Sequence, residues 1–563
     1  TALIGGDYQG KNPDIQNANR TYVGEGAVIN ASAGTTGNGG KVIVWADDVT
    51  RFYGSILATG GLLSGDGGFA EVSGKASIDF HAYQIELSAA NGGAGTLLLD
   101  PANITLLSGV DANSTGFTAG SDNTEAFADD SGLTTILDID ATTGSFVGVG
   151  NGTTIELQAT GDITVSNAWN VATSTGNTNV SVVLRAGNDI NINQVITVSG
   201  TGTLTLEADG NTADGAGDIV FGASGSLVSA NQSIDLTAND LNLTTGSINA
   251  GTGTVTILVS DAGTIGLGDT AGGMSISGAE LQNITAANVS IGDSTAGNIT
   301  VDNITLANTA NISTTLTLTT GGDVAFNTTV SAITNNLAVS AVGDITQGFG
   351  LSVGGTSSIT VTGTNVATLT NSSNDFTGAI TLSSGTGAVQ LTDSTATILA
   401  ASTLGGNLTV TSSAAMTQTG ALSVTGNSSF ASTGGDITLS TGTNDLGANL
   451  TLDTNNSFNV ATTSTLTDLT LTVDPANTST YAMSAANISA FNLTDSTTTI
   501  DIGTLTATAL NFSLTTDSGS VTTSGAMDVG TGSFAITTNS STDGAITISQ
   551  TLAAGALTLD ANG

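Results

Sequence analysis

The residues with reactive potential in this chain are two carboxylate doublets, one histidine and one cluster of rings. The doublets are Asp47–Asp48 and Asp129–Asp130, and His81 is the chain's only His. Two carboxylates held about 5–10 Å apart can cut a glycosidic bond, one as acid and the other as base or nucleophile. Pectin-cleaving enzymes combine such acids with a Gly-His-Gly and an Arg-x-Lys, or with a Ca²⁺ site and an Arg or Lys base. Here His81 stands in "DFHAY", where it reads as an ordinary strand residue, and no Lys or Arg follows Arg185. Nucleophilic catalysis lacks its parts too, because there is no Cys and no second His to serve a hydroxyl. The Ca²⁺-binding repeat Gly-Gly-x-Gly-x-Asp has no tandem copy, and "GGAGTL" (92–97) has Leu where Asp belongs. The expectation is a protein that is not an enzyme, with no catalytic residues, no cofactor and no dedicated metal site.

The ring cluster lies in "GGKVIVWADDVTRFYG" (39–54). A chain with six Lys plus Arg and two Trp places Lys41, Arg51, Trp45, Phe52 and Tyr53 together here, beside Asp47 and Asp48. Val42 and Val44 alternate with Ile43 and Trp45, so one set faces a core. The rings then cover an end or flank of that core, with Lys41 and Arg51 pairing with Asp47, Asp48 or Glu71. The functional alternative is a ligand platform for sugar made of Trp45, Phe52 and Tyr53.

Composition restricts the elements that position these residues. Hydrophobic residues are 39 % and aromatics 4 %, with 75 Gly and only 3 Pro, and Val, Ile and Thr are abundant. Many short strands joined by tight turns fit this balance, and disorder does not. Forty-six acids against six cations give a net charge of −40, which excludes a nucleic-acid partner because nothing could neutralise phosphates. The acids stand singly, and stacking them is expected to be avoided because like charges one strand spacing apart repel.

From about residue 151, runs such as "GTLTLEADG" and "GNLTVTSS" alternate apolar residues with Thr or Ser, the period of half-buried strands. A small unit recurs within them: "GDITV" (Gly161), "GDIVF" (Gly217), "GDVAF" (Gly322), "GDITQ" (Gly343) and "GDITL" (Gly435). It reads as a turn Gly, an Asp bonding nearby backbone, and an inward β-branched residue that starts a strand. A longer repeat overlies it. "NNLAVSAVGDITQGFGLSVGGTSSI" (335–359) matches "GNLTVTSSAAMTQTGALSVTGNSSF" (406–430) with Leu337 answering Leu408 and Gln347 answering Gln418, an offset of 71. With roughly 20 to 25 residues per coil, this repeat spans three coils of a β-solenoid. About two dozen coils stacked at ~4.8 Å would make a rod on the order of 110 Å long. Thr-x-Thr pairs occur at separations that share no coil length, so an ice-binding array is not expected. Residues 110–150 lack alternation and read as an irregular acidic loop excursion, with a short helix near "GLTTILDID".

An ordered series in residues 3–106 carries a family resemblance: "LIGGDYQGKN", "RTYVGEGAVINASA", "GGKVIVWADDVTRFYGSILATGG", "GDGGFAEVSGK" and "GTLLLDPANITL". It resembles a module of the large filamentous-haemagglutinin-like exoproteins of Gram-negative bacteria. "GGMSISGAELQNITAANVSIGDSTAGNIT" is also similar to that family's solenoid. With the stacked repeats the resemblance implies an all-β, right-handed parallel β-helix, and the strand pattern divides the chain as 1–109 (the module), 110–150 (the excursion) and 151–563 (a repetitive shaft). It implies export through an outer-membrane two-partner secretion transporter, a place at the cell surface or beyond it, and an adhesin-type role in cell–cell or cell-surface contact. Surface glycans or proteins of other cells are the partners of that role. The alternative is a structural fibre or sheath whose partners are copies of itself. "TALIGGDYQG" has neither a basic start nor an apolar core, so the sequence is expected to be an interior fragment of a longer chain.

Overall fold

Alternation of the kind seen in Thr154–Ala159, where every second residue is buried, produces half-buried parallel strands. The computed structural model describes residues 1–109 and 134–454, except 211–214 and 328, together with the strands and part of their connections from 456 to 561. They form two units. One is Thr1–Gly266 with Ala271–Gly292 and Asn311–Thr314; the other is Leu267–Thr270 with Asp293–Ala310 and Thr315–Gly563.

Each unit is a parallel β-helix with three faces per coil. In the first, face one runs through Ala2–Ile4, Lys41–Ala46, Phe69–Gly74, Thr96–Asp100, Thr154–Ala159 and Ser181–Ala186, each strand paired in parallel with the next. The register stacks Val42, Ala70, Leu97, Ile155, Val182 and Leu204 in one inward row. All six are buried, so the core is a column of aliphatic side chains one strand spacing apart. Coils here are longer than the sequence suggested: Val42 to Ala70 is 28 residues, because side loops leave the corners.

The excursion differs from its expectation. Residues 110–133, with the Asp129–Asp130 doublet, lie outside the described residues. The helix expected near "GLTTILDID" is instead a strand, Thr135–Asp138, paired in parallel with Ile104–Leu107. Its Thr135 Oγ1 accepts the Ile78 N–H at 3.0 Å, which sets it beside Ser77–Phe80 on face two. β-branched Thr and Ile in a row favour this pleated, buried slot over a helix.

In the second unit, coils are shorter and more regular. Val389 to Leu408 is 19 residues, and Ser357 to Ile380 is 23. From Leu337 to Leu408 the chain passes ten strands: Asn336–Ala341, Ile345–Gln347, Leu351–Val353, Ser357–Val361, Ala367–Leu369, Asp375–Phe376, Ile380–Ser384, Val389–Asp393, Thr397–Leu399 and Ser402–Leu404. Ten strands at three per coil are three coils and one further face. The sequence repeat is therefore longer than three coils. Asn336–Ala341 lies in the face-one ladder, whereas its repeat partner Leu408–Ser412 lies in the ladder of face two. The later pair behaves alike: Ile380–Ser384 belongs to face one and Asn449–Thr454 to face two. Successive repeats turn by one face.

A buried amide staple marks each repeat. Asn374 Oδ1 accepts the Leu351 N–H at 2.9 Å, while its Nδ2 donates to the carbonyls of Leu369 (3.1 Å) and Thr392 (3.0 Å). Gln347 bonds the same Asn374 amide. Asn444 does the same one repeat later, accepting from Leu422 at 2.9 Å, donating to Leu439 and Ala461 at 3.0 Å each, and bonding Gln418. Each Asn thus ties three successive coils where a corner would orphan backbone groups.

The recurring Asp has a longer reach than a local turn. Asp162 Oδ1 accepts the Asp189 N–H, Asp189 accepts from Asp218, and Asp218 accepts from Asp240, at 3.3, 3.0 and 3.1 Å. Four carboxylates therefore stack in consecutive coils, against the expectation that stacking is avoided. Each is partnered by an N–H of the coil above, and this charge-assisted bond offsets the repulsion.

Candidate functional site

The first three coils hold five of the chain's six cations and four of its five Tyr. On face one, the expected single buried set became two. Val42 and Val44 point inward, and Ile43 and Trp45 point outward, yet all are buried. An N-terminal strap over residues 5–17 covers the outer set. Gln9 donates its N–H to Glu71 Oε1 at 3.0 Å, and Asn17 Nδ2 donates to Asp47 Oδ1 at 2.9 Å. Gly10 has φ +61, and a Cβ there would come within 2.5 Å of the Trp45 indole, so only Gly lets the strap lie against the ring.

Glu71 is wholly enclosed by this strap, and its Oε2 has no hydrogen-bond partner. Burial pushes its carboxyl up to about 7, with nearby Asp100 adding to the rise and Lys41 opposing it. Asp100 is pushed up to about 6, again first by burial. A cleft of about 400 Å³ opens beside the strap, lined by Trp45, Asp47, Lys11, Lys75, Asp100 and Gln158 among others.

The second cleft, of about 700 Å³, crosses three successive coils at the corner between faces two and three. Glu25 and Val28 line it from the first coil, Tyr53 and Leu57 from the second, His81, Tyr83 and Gln84 from the third. Thr142 and Thr143 close it from the turn after Thr135–Asp138. Arg51 and Asp79 share a register position on face two, placing Tyr53 next to His81 two residues on. Asp79, itself buried, accepts from the Tyr53 hydroxyl at 2.5 Å and lies 3.4 Å from His81 Nδ1. Burial, reinforced by the charge of Asp79, raises the Tyr53 phenol. Tyr22 meets Tyr53 edge-on with centroids 5.8 Å apart, and Tyr83 is 80 % exposed.

The three rings of the sequence-based platform therefore do not share a surface. Phe52 is fully enclosed and stacks on Phe80 at 5.8 Å. Trp45 lies under the strap, and Tyr53 reaches the larger cleft. Of the residues expected to pair, Asp48 takes Arg20 at 3.0 Å instead, and Lys41 lies over the Tyr8 ring at 4.3 Å. Tyr22, Asp79 and Tyr83 escaped the sequence reading. The signal for Tyr22 and Asp79 was the near-alignment of "RTYVG", "TRFYG" and "IDFHA", each one coil from the next.

Among the described residues, no group of three or more His, Cys, Asp or Glu is placed to hold a metal ion, and no helix is long and apolar enough to cross a membrane. The arrangement defines a repeat-built parallel β-helix protein with clefts on its outer surface. Residues 313–383 and 386–453 each match a family described as repeats of unknown function (DUF5649). The two matches end in Ile380–Ser384 and Asn449–Thr454, the repeat partners that lie on different faces. No curated protein matches the chain.

Proposed function

We propose that this chain is a stretch of an extracellular, adhesin-type β-helical shaft that mediates cell–cell or cell-surface contact. It is similar to the filamentous-haemagglutinin-like exoproteins and reaches the surface through a two-partner secretion transporter. The observation that carries the reading is the repeat itself: ten strands tied to the coils above and below by buried amides, a unit that extends a stack indefinitely without a cation or disulfide. Such a stack gains stability per added coil, which suits reach rather than turnover. In this reading the protein acts without a catalytic centre, through surface complementarity.

The test is retention of cells by the purified chain coupled to beads, read against beads carrying an unrelated β-helix. Retention above that control is the expected result, and equal retention refutes the adhesive role. Negative-stain imaging across concentrations separates the structural-fibre reading, which requires filaments that lengthen as concentration rises.

A further inference from the structure

We propose that the cleft between faces two and three binds a neutral, linear oligosaccharide lying across the coils; the inference rests on the adhesive reading and names the chemistry it uses. Three features of the cleft point to this ligand. The first is direction. Glu25, Tyr53 and His81 come from three consecutive coils, so the cleft presents its groups at the strand spacing of ~4.8 Å. That spacing is close to the length of one pyranose ring, so each coil can address one sugar.

The second feature is the kind of wall. Tyr83, 80 % exposed, offers an open ring face, and Tyr53 presents a ring fixed from behind by Asp79 and flanked by Tyr22. Sugar C–H faces stack on such rings, while Glu25, Gln84, Thr142 and Thr143 supply donors and acceptors for hydroxyls. An aliphatic peptide or lipid would leave those polar groups unpaired, a loss that works against it.

The third feature is preorganisation. Asp79 is buried and contacts both Tyr53 and His81, so two of the binding groups are positioned before a ligand arrives. Rotamers fixed in advance reduce the entropy lost on binding. Charge selects among sugars. The chain carries a net charge of −40 and Glu25 stands in the cleft, which disfavours sulfated or uronic chains.

The experiment uses the full chain and four probes: cellotetraose, maltotetraose, chitotetraose and a heparin tetrasaccharide, titrated by calorimetry. Saturable binding of at least one neutral tetrasaccharide, weakened about tenfold or more by Tyr83→Ala, is expected. Leu63→Ala, which changes an exposed residue that does not line the cleft, should leave the affinity unchanged. No saturation by any neutral probe at millimolar concentration overturns the proposal. Tighter binding of the heparin probe, or a Tyr83→Ala variant that binds as wild type with an unchanged melting temperature, overturns it as well. Cells held by a chain that takes up no neutral probe would refute the glycan and leave adhesion standing. Binding of a probe by a chain that holds no cells would support the glycan and refute adhesion.

Discussion

Replacing Asn374 by Ala should open a local gap in three coils at once. The substitution strands the Leu351 N–H and the Thr392 carbonyl and leaves the Gln347 Nε2 without its acceptor, while the Leu369 carbonyl keeps only its ladder bond from the Thr392 N–H. A buried backbone group left without a partner costs about 1–3 kcal/mol. Two such groups and the half-buried Gln347 amide, which water can reach, give an expected loss of about 3–5 kcal/mol. Because coils interact mainly with their neighbours, the loss should be local. Hydrogen exchange is therefore the assay: protection of the Leu351 amide should fall about a hundredfold or more, since each 1.4 kcal/mol is a factor of ten. Asn444→Ala should do the same at Leu422, where the equivalent bonds recur. The two sites share no partner, so the double variant should lose the sum of the two within about 0.5 kcal/mol. A loss below about 1 kcal/mol at either site, or strong non-additivity, would refute the view that these amides hold the coils together.

Further expectations concern the strap and the core. Glu71 has its folded value raised from 4.5 to about 7, so the folded form holds the proton more tightly and the strap is most stable at low pH. Its contribution should decline as pH rises from about 4.5 to 7 and stay flat above, by about 3 kcal/mol in total. Glu71→Gln should remove the part of the decline above about pH 6 in urea titrations, since Asp100, raised to about 6, adds its own loss below that; an unchanged decline above pH 6 would show that other groups set it. Gly10→Ala should force the strap off the Trp45 ring and shift the Trp emission to the red, with a cost of about 1–3 kcal/mol. Ser357 and Ser428 stand at equivalent positions of the two repeats with buried hydroxyls that have no partner. Ser→Ala at each should raise the unfolding midpoint, by about 1 kcal/mol per site, and a drop in both would indicate a bond to these hydroxyls.

Alternation and the Gly-Asp-Ile unit made the strand type and the stacked architecture legible in the sequence. Leu337 and Leu408 also revealed the repeat, but not its phase, because face lengths vary with the corner residues and a count of residues cannot assign a strand to a face. The Asp162–Asp189–Asp218–Asp240 stack was missed for a related reason. A general rule about like charges ignores the N–H that each carboxylate receives from the next coil. The cleft was only partly readable. Tyr53 was singled out, but its neighbours come from strands about 28 residues away, and the burial of Phe52 and Trp45 depends on a strap that shows no periodic pattern. Strand Thr135–Asp138 reads as a helix in the sequence because local propensity there is weak and the slot beside Ser77–Phe80 decides its conformation.

The ten-strand unit makes the shaft an indexing device. Duplication or loss of a single unit by recombination keeps every hydrogen-bond ladder intact, since a strand lost on one face is replaced by its counterpart on the next. Yet everything distal to the change is swung by a third of a revolution. Only gains or losses in threes return the distal coils to their former azimuth, so copy number alone sets which way their outer faces point.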